Sequence, residues 1–220
     1  MAKVTILTPT QQKLLAVLAA EKVIGENFYL TGGTALAEFY LWHRLSEDLD
    51  FFSENEIDSQ AVFTLLKKLQ PKAGFKKIAF EQSFNRNLFF LHFAREVVKT
   101  EFTFFPFPRI ETKKQYGRLS VDSLLDIAVN KVFTIYQKPR SRDFIDLFCI
   151  IKKTGWTIEE LVKKAKIKFD WHVDPLQLGS QFLQARILKE YPRMIQKIRP
   201  AVWQEFFLQV AKKLSKKFLK

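Results

Sequence analysis

The sequence predicts an α+β protein, in which a mixed or antiparallel sheet core flanked by helices is followed by a helical C-terminal part. Two observations lead to this class. Short apolar runs and helical patterns are mixed in the first half of the chain, whereas from Asp122 onward the apolar spacing is helical throughout. We therefore expect an α/β core over residues 1–115 and a basic helical part over residues 116–220.

The first elements follow from apolar spacing and from residues that begin helices. A Thr-Pro-Thr start favours a helix over residues 8–21. A short apolar run over residues 27–31 indicates a buried strand that ends at Gly32. A helix is expected over residues 34–42, and residues 48–52 form a second strand candidate.

The next segments predict a helix and a meander. A helix capped by Asp58 or Ser59 is expected to run to about Leu69 and to be stopped by Pro71, because the residue before a proline is disfavoured in helical conformation. Phe- and Val-rich runs at residues 75–80, 87–93 and 96–105 are separated by turn-like tripeptides and predict antiparallel strands. The helices expected after them lie near residues 122–137, 141–153, 157–168, 174–189 and 200–219.

Composition indicates a folded protein of a reducing compartment. Hydrophobic residues make up 47% of the chain and charged residues 27%, which excludes the disordered and fibrous classes. A single cysteine, Cys149, excludes a disulfide framework and a cysteine-based zinc site, and its apolar neighbours predict an inert buried thiol. We expect a cytoplasmic protein without a membrane partner, because the N-terminus has no apolar leader and no apolar run approaches the ~20 residues of a membrane span.

The positive charge is concentrated in the second half. The formal net charge is +13, yet residues 1–110 hold 13 basic and 12 acidic side chains, whereas residues 111–220 hold 23 and 11. A polyanion is the natural partner for such a surface, with RNA or DNA ahead of an anionic membrane. A lysine-rich surface that serves solubility is the alternative.

A pair of glycines follows the first predicted strand. Gly32 and Gly33 would let the backbone approach a ligand closely, and the helix after them would direct its N–H groups, with the Thr34 hydroxyl, at an anion. These three residues alone are explained equally well by a plain strand-to-helix turn.

Two aspartates share one face of the second predicted strand, because side chains alternate with a period of two. Asp48 and Asp50 would repel each other unless a cation lay between them, and Mg²⁺ takes carboxylate and phosphate oxygens as ligands. A third carboxylate would complete a two-metal site. Glu101, inside an apolar strand, is the candidate, and Glu96 or Glu81 could replace it. The alternative is that both aspartates face water at a strand edge.

A lysine and a pair of acids lie on the helices that follow. Lys131 falls within an otherwise apolar helix, and Asp143 and Asp146 share one side of the next helix. With Arg142 beside them, they could bind phosphate and orient the site. A lysine whose stem packs on apolar residues and a surface charge pair are the alternative.

Together these motifs resemble a known family. The segment GGTALAEFYLWHRLSEDLDFF from Gly32 and the Arg-Asp-x-x-Asp helix from Arg142 resemble the polymerase-beta type of nucleotidyltransferase, and more narrowly the AbiEii/AbiGii toxin family. The resemblance covers residues 25–150. It implies a nucleotidyltransferase-like fold and an enzyme that uses a nucleoside triphosphate (NTP) with Mg²⁺, transfers the nucleoside monophosphate and releases pyrophosphate.

The resemblance also implies a role for each matching residue. The residues expected at the nucleotide are Gly32, Gly33, Thr34, Ser46, Lys131, Arg142 and Asp146. The residues expected to be catalytic are Asp48, Asp50, Glu101, Lys131 and Asp143, and the expected metal ligands are Asp48, Asp50 and Glu101. Glu101 matches the third acidic position only through its place in a strand.

The acceptor of the nucleotide is the open question. The basic half favours RNA, such as a tRNA end, and the resemblance to toxins implies a cognate antitoxin protein as a further partner. Residues 200–219 carry apolar side chains on one side and lysines on the other, among them Phe218, Lys216, Lys217 and, just beyond, Lys220. Ordinary core packing is the preferred explanation of the apolar stripe, with the lysines as its solvated face. Nucleotidylation of a protein or small molecule, or a non-catalytic nucleotide- or RNA-binding role, are the alternatives.

Overall fold

The computed structural model describes residues 5–111 and 114–218, with side chains described through Leu214. The chain forms two compact units, one of Met1–Tyr40 and Ser46–Ser123, the other of Leu41–Leu45 and Leu124–Lys220. The predicted α+β class and mixed sheet are confirmed. The boundary expected after residue 115 falls inside a β-hairpin of the first unit.

Within the described residues, the first unit contains a seven-stranded mixed sheet. Its strands are β1 (Tyr29–Thr31), β2 (Leu49–Ser53), β3 (Lys77–Ser83), β4 (Arg86–His92), β5 (Val97–Phe104), β6 (Lys114–Tyr116) and β7 (Leu119–Val121). Their order across the sheet is β3-β4-β5-β2-β1-β7-β6. The neighbours β2 and β5, and also β1 and β7, run parallel, and the other neighbours run antiparallel. The predicted meander is confirmed as β3, β4 and β5.

The helices of this unit begin and end at identifiable residues. They are α1 (Pro9–Ala20), α2 (Lys22–Asn27), α3 (Gly32–Leu36), which continues as a π-helical turn over Ala37–Leu41, and α4 (Ser59–Ala73). The expected end of α4 at Pro71 is wrong. The helix continues to Gly74, whose left-handed backbone (φ +94°) ends it and whose N–H bonds to the Gln70 carbonyl at 2.8 Å. Burial of Leu69 and Ala73 on this last turn offsets the backbone hydrogen bond that is lost because Pro71 has no N–H group.

The two faces of the central strands differ in chemistry. Phe51 and Phe102 stack with ring centroids 5.0 Å apart and are fully buried, and Phe89 packs edge-on against Phe102 at 5.7 Å. The parallel register of β2 and β5 sets Asp50 beside Glu101. Since side chains alternate along a strand, these two carboxylates lie on the face opposite the phenylalanines. The aromatic core therefore fixes the strands that carry the acids.

The second unit is helical in its described part. Its helices are α5 (Leu124–Gln137), α6 (Ser141–Thr154), α7 (Ile158–Phe169), α8 (Pro175–Leu183) and α9 (Pro200–Phe218), with a 3₁₀ turn at Gln184–Arg186. Phe144 of α6 packs against Trp203 and Phe207 of α9, all buried, so the apolar stripe of α9 is core. Lys220 lies outside the described residues, as do the side chains of Lys216, Lys217 and Phe218. None of the helices in the described ranges has the length and apolarity to cross a membrane.

Candidate active site

The turn after β1 brings backbone and carboxylate together. Gly32 adopts φ +73°, in the left-handed region that favours glycine. A methyl group added there would overlap Oδ2 of Asp50, so any other residue would also displace that carboxylate. Gly33 is half-buried and continues into α3. The structure thus places Gly32, the first of the two predicted glycines, directly against Asp50.

The segment before β2 is held by hydrogen bonds to its backbone. The Thr34 hydroxyl donates to the Asp48 carbonyl oxygen, and Gln11 Nε2 donates to the Glu47 carbonyl at 2.8 Å. Thr34 is fully buried and its hydroxyl positions Asp48, and its expected role as a phosphate donor stays a prediction. Ser46 is half-buried two residues ahead of Asp48.

Basic side chains accompany the acids of this face. Lys99 Nζ lies 2.7 Å from Oδ2 of Asp48 and 4.0 Å from Oε2 of Glu101. Arg86 binds Glu101 with both arms of its guanidinium, Nε to Oε1 at 2.7 Å and Nη2 to Oε2 at 2.6 Å. The site is therefore a mixed cluster and not a bare group of carboxylates.

The protonation of Glu101 follows from these contacts. Burial alone would raise the pKa of Glu101, but the hydrogen bonds from Arg86 and from the Thr103 hydroxyl lower that pKa below its ordinary value. The bond to Glu101 raises the pKa of Arg86 despite partial burial, with further contributions from the charges of Asp50 and Asp48. Both members of the pair are therefore ionised at neutral pH.

The fit of a magnesium ion can be judged from the donors. In the ranges that the structure describes, no group of three or more His, Cys, Asp or Glu side chains is arranged to hold a metal ion. Asp48 and Asp50 nevertheless supply the oxygen ligands that Mg²⁺ requires, and the ammonium of Lys99 on Asp48 shows that this carboxylate accepts a cation. The residues fit a cation held by these two aspartates, whereas Glu101 is engaged with Arg86.

The second unit contains a buried charge cluster around Asp146. Its Oδ1 accepts from His43 Nε2 at 2.7 Å and from Arg44 Nε at 2.6 Å. Its Oδ2 accepts from Arg44 Nη2 at 2.8 Å and faces Lys131 Nζ at 2.7 Å. Since a carboxylate at this position only accepts, Nε2 of His43 carries the hydrogen. The segment Leu41–Leu45 thus delivers two side chains to this unit.

Lys131 joins α5 to α6 through both acids of the predicted pair. Its Nζ lies 2.7 Å from Oδ1 of Asp143, and Asp143 and Asp146 are both fully buried. Arg140, and not the half-buried Arg142, pairs with Asp143, at 3.0 Å. The Lys131 ammonium is thus paired with two carboxylates, and its expected role at the nucleotide phosphates stays a prediction.

The cluster keeps its charges in spite of burial. Burial would raise the pKa of Asp146, but the charges of Lys131 and Arg44 hold that pKa well below its ordinary value. The same balance lowers the pKa of Asp143 and raises the pKa of Lys131. Burial raises the pKa of Cys149 to about 12, so its thiol stays protonated, in agreement with the inert role expected for it.

Four side chains of these two clusters were not singled out from the sequence. Lys99 stands two positions before Glu101, so period-2 alternation could have placed it on the same face. Arg86 could not have been assigned without the register that pairs β4 with β5. His43 and Arg44 are polar residues within a partly apolar run, and this pattern indicates that they are buried with a partner. The neighbouring sequence does not indicate that the partner is Asp146.

Comparison with known proteins finds a family and a relative for this chain. The chain matches the family described as nucleotidyl transferase AbiEii toxin of a type IV toxin–antitoxin system over residues 13–216. An uncharacterized protein of Aquifex aeolicus (strain VF5) is 32% identical over 159 residues, which cover 69% of this chain and 72% of that protein.

Solved structures show the same fold. A protein of H. pylori described as a nucleotidyltransferase superposes with a TM-score of 0.62 at 18% identity and covers 96% of this chain and 97% of its own. MenT4, a nucleotidyltransferase toxin from Mycobacterium tuberculosis, superposes with a TM-score of 0.57 at 16% identity, over 92% of this chain and 82% of its own. At such identities these likenesses concern the fold alone.

Proposed function

Because the chain belongs to the AbiEii family of nucleotidyl transferase toxins, we propose that it transfers a nucleoside monophosphate from an NTP to an RNA acceptor with Mg²⁺ as cofactor. The observation that carries this proposal is the acidic face of the first unit. Asp50 lies against the Gly32 turn, and Asp48 is held by its backbone next to it. Lys99 supplies positive charge at the same place.

The chain's residues divide the work of an in-line transfer. The acceptor hydroxyl oxygen forms a bond to the α-phosphorus while the bond to the pyrophosphate oxygen breaks, so the protein mainly positions groups and neutralises charge. When bound, Mg²⁺ would neutralise phosphate charge and lower the pKa of the attacking hydroxyl. Asp48 and Asp50 would hold the ion, and the side-chain-free backbone at Gly32 lets phosphate approach closely.

The second unit supports RNA as the acceptor through its charge. Residues 111–220 hold almost all of the excess positive charge, and Lys163 and Lys164 of α7 and Lys212 and Lys213 of α9 are exposed. Phosphate contacts by such side chains release counterions and favour nucleic acid irrespective of sequence. The buried Lys131 cluster would keep α5 and α6 together. The family description further supports a cognate antitoxin and a cytoplasmic setting for the reaction.

The test is transfer of label from each of the four α-³²P-labelled NTPs to total RNA or to protein. We expect label on RNA with at least one nucleotide, and a loss of at least about a hundredfold in Asp48→Asn and Asp50→Asn, since each removes charge stabilisation at the reacting phosphate. Asp170→Asn, which changes an exposed aspartate of the second unit, is the matched control and should transfer normally. Full transfer by Asp50→Asn would contradict the assignment of the site. Label on protein alone would exclude RNA as the acceptor.

A further inference from the structure

We propose that Glu101 is not a metal ligand but a positioning residue. It holds the guanidinium of Arg86 at the acidic face, where Arg86 binds a phosphate group of the nucleotide, so that a single divalent cation on Asp48 and Asp50 suffices. This inference rests on the nucleotidyl transfer proposed for the same site.

The oxygens of Glu101 are already in use. Oε1 accepts from Arg86 Nε at 2.7 Å and from the Thr103 hydroxyl at 2.8 Å, and Oε2 accepts from Arg86 Nη2 at 2.6 Å. Paired charge-assisted bonds of this kind are about twice as strong as neutral ones. Only 7% of the Glu101 side chain is exposed. To bind a metal ion, Glu101 would have to give up a pairing that compensates its burial.

Arg86 is placed to meet a ligand of the same face. It lies opposite Thr103 in the register of β4 with β5, and Glu101 lies opposite Asp50 in the register of β5 with β2. Residues that lie opposite each other share a face, and so do Thr103 and Glu101, which are two positions apart on β5. Arg86 and Asp50 therefore lie on the same face of the sheet. The charges of Asp50 and Asp48 contribute to the raised pKa of Arg86, in agreement with this placement.

The guanidinium retains donors for a ligand. A guanidinium has five N–H groups, and Glu101 takes one on Nε and one on Nη2. Half of the Arg86 side chain is exposed (49%), so the remaining donors are accessible. Their planar fork matches the oxygens of a phosphate group. Lys99 adds a second basic side chain to this face.

Metal binding separates this proposal from a three-carboxylate site. We expect wild-type protein with a non-hydrolysable α,β-methylene NTP to bind one Mn²⁺ per chain, measured by calorimetry and by the loss of the free Mn²⁺ electron paramagnetic resonance signal. Glu101→Gln should keep that stoichiometry and bind Mn²⁺ within about twofold of wild type, since its carboxylate is not a ligand. Asp50→Asn should lose the Mn²⁺. Two Mn²⁺ per chain in wild type, or loss of Mn²⁺ in Glu101→Gln, would overturn the proposal.

Nucleotide binding tests the role of Arg86. Loss of a bond to a charged group predicts that Arg86→Gln weakens the analogue at least about tenfold, with Arg86→Lys in between. Glu101→Gln should weaken it similarly, and the double variant should be no worse than Arg86→Gln, because Glu101 acts through Arg86. Additive losses would overturn the proposal, as would unchanged analogue affinity with weakened binding of an RNA oligonucleotide.

The Mn²⁺ and analogue measurements separate a failure of the role proposed for Glu101 from a failure of the nucleotidyl transfer on which it rests. If wild-type protein binds neither Mn²⁺ nor the analogue, the proposed transfer itself fails. If wild type binds both and Glu101→Gln behaves like Asp50→Asn, only the role of Glu101 is wrong. Should Glu101→Gln not fold, as judged by circular dichroism, the wild-type Mn²⁺ stoichiometry and the comparison of Arg86→Gln with Arg86→Lys decide the matter.

Discussion

Both units pair acids with bases, but water reaches the two sets to different extents. In the first unit, Asp48 and its partner Lys99 keep 30% and 24% of their side chains exposed. In the second unit, Asp146 is fully buried and receives His43, Arg44 and Lys131 at 2.6 to 2.8 Å.

This difference in burial explains why one set suits a ligand and the other suits a structural role. A charge that stays partly in water can exchange its partner for a metal ion or a phosphate, because the desolvation cost is small on either side of the exchange. A fully buried charge that loses its partner is left uncompensated in a medium of low polarity. Lys99 can therefore release Asp48 to a cation, whereas Lys131 cannot release Asp146 without a large cost.

The most severe test of the contrast removes one buried charge. We expect Asp146→Asn to destabilise the protein by about 3–5 kcal/mol, because Arg44 and Lys131 would remain buried with one carboxylate fewer. Urea denaturation followed by circular dichroism measures this. The control Asp170→Asn, at an exposed helix end where the backbone is left-handed and asparagine is tolerated, should change stability by less than about 0.5 kcal/mol. A loss below about 1 kcal/mol for Asp146→Asn would show that the cluster is not structural.

The pH dependence of stability should carry the signature of the same cluster. Asp143 and Asp146 have a lowered pKa in the folded state, so the stability they contribute is complete above their ordinary pKa of 3.8 and is lost as the pH falls through the lower folded values. Lys131 has a raised pKa, so its contribution is complete below its ordinary value of 10.5 and is lost as the pH rises through the folded pKa.

Urea midpoints between pH 2 and 7 measure the acid limb of this dependence. Asp146→Asn should make the limb shallower, while Glu101, whose pKa is also lowered, maintains part of it. An acid limb of wild-type steepness in Asp146→Asn would contradict the assignment of the limb to the cluster.

Local patterns predicted the parts of the fold that depend on local physics. Phe- and Val-rich runs with turn-like tripeptides between them predicted β3, β4 and β5. Period-2 alternation predicted a shared face for Asp48 and Asp50, of which Asp50 lies in β2 and Asp48 directly precedes its first residue. The short strands β6 and β7 were missed because neither contains an uninterrupted apolar run like the one that indicated the equally short β1. The length of α4 was underestimated at Pro71, where burial of neighbouring side chains outweighs a local preference.

The candidate site was predictable as a list of residues but not as a set of contacts. The glycine turn at Gly32 and the acids of β2 have local signals, and the structure brings them together. The basic partners of these acids depend on which strands are neighbours in the sheet, and local sequence does not specify that order. The bonds of Arg86 to Glu101 and of Arg44 to Asp146 span 15 and 102 positions. Such pairings arise from tertiary structure and leave no periodic pattern in the sequence.

The smallest effect on stability is expected when the same Asp-to-Asn change is made in the partly exposed ion pair of the first unit. We expect Asp48→Asn to alter the free energy of unfolding by less than about 1 kcal/mol, since a partly exposed ion pair contributes about 0.2–1 kcal/mol and Lys99 can turn to water once its partner is neutral. A double-mutant cycle with Lys99→Met, followed by urea denaturation, isolates the pair from other effects of either change. The coupling should be below about 1 kcal/mol and should shrink further in 1 M salt, where the screening length falls to about 3 Å. A coupling above about 2 kcal/mol would mean that Asp48 binds Lys99 as firmly as Asp146 binds Lys131. Release of Asp48 to a metal ion would then cost at least about 2 kcal/mol, a roughly thirtyfold loss of metal affinity, which would count against the exchange on which the proposed transfer depends.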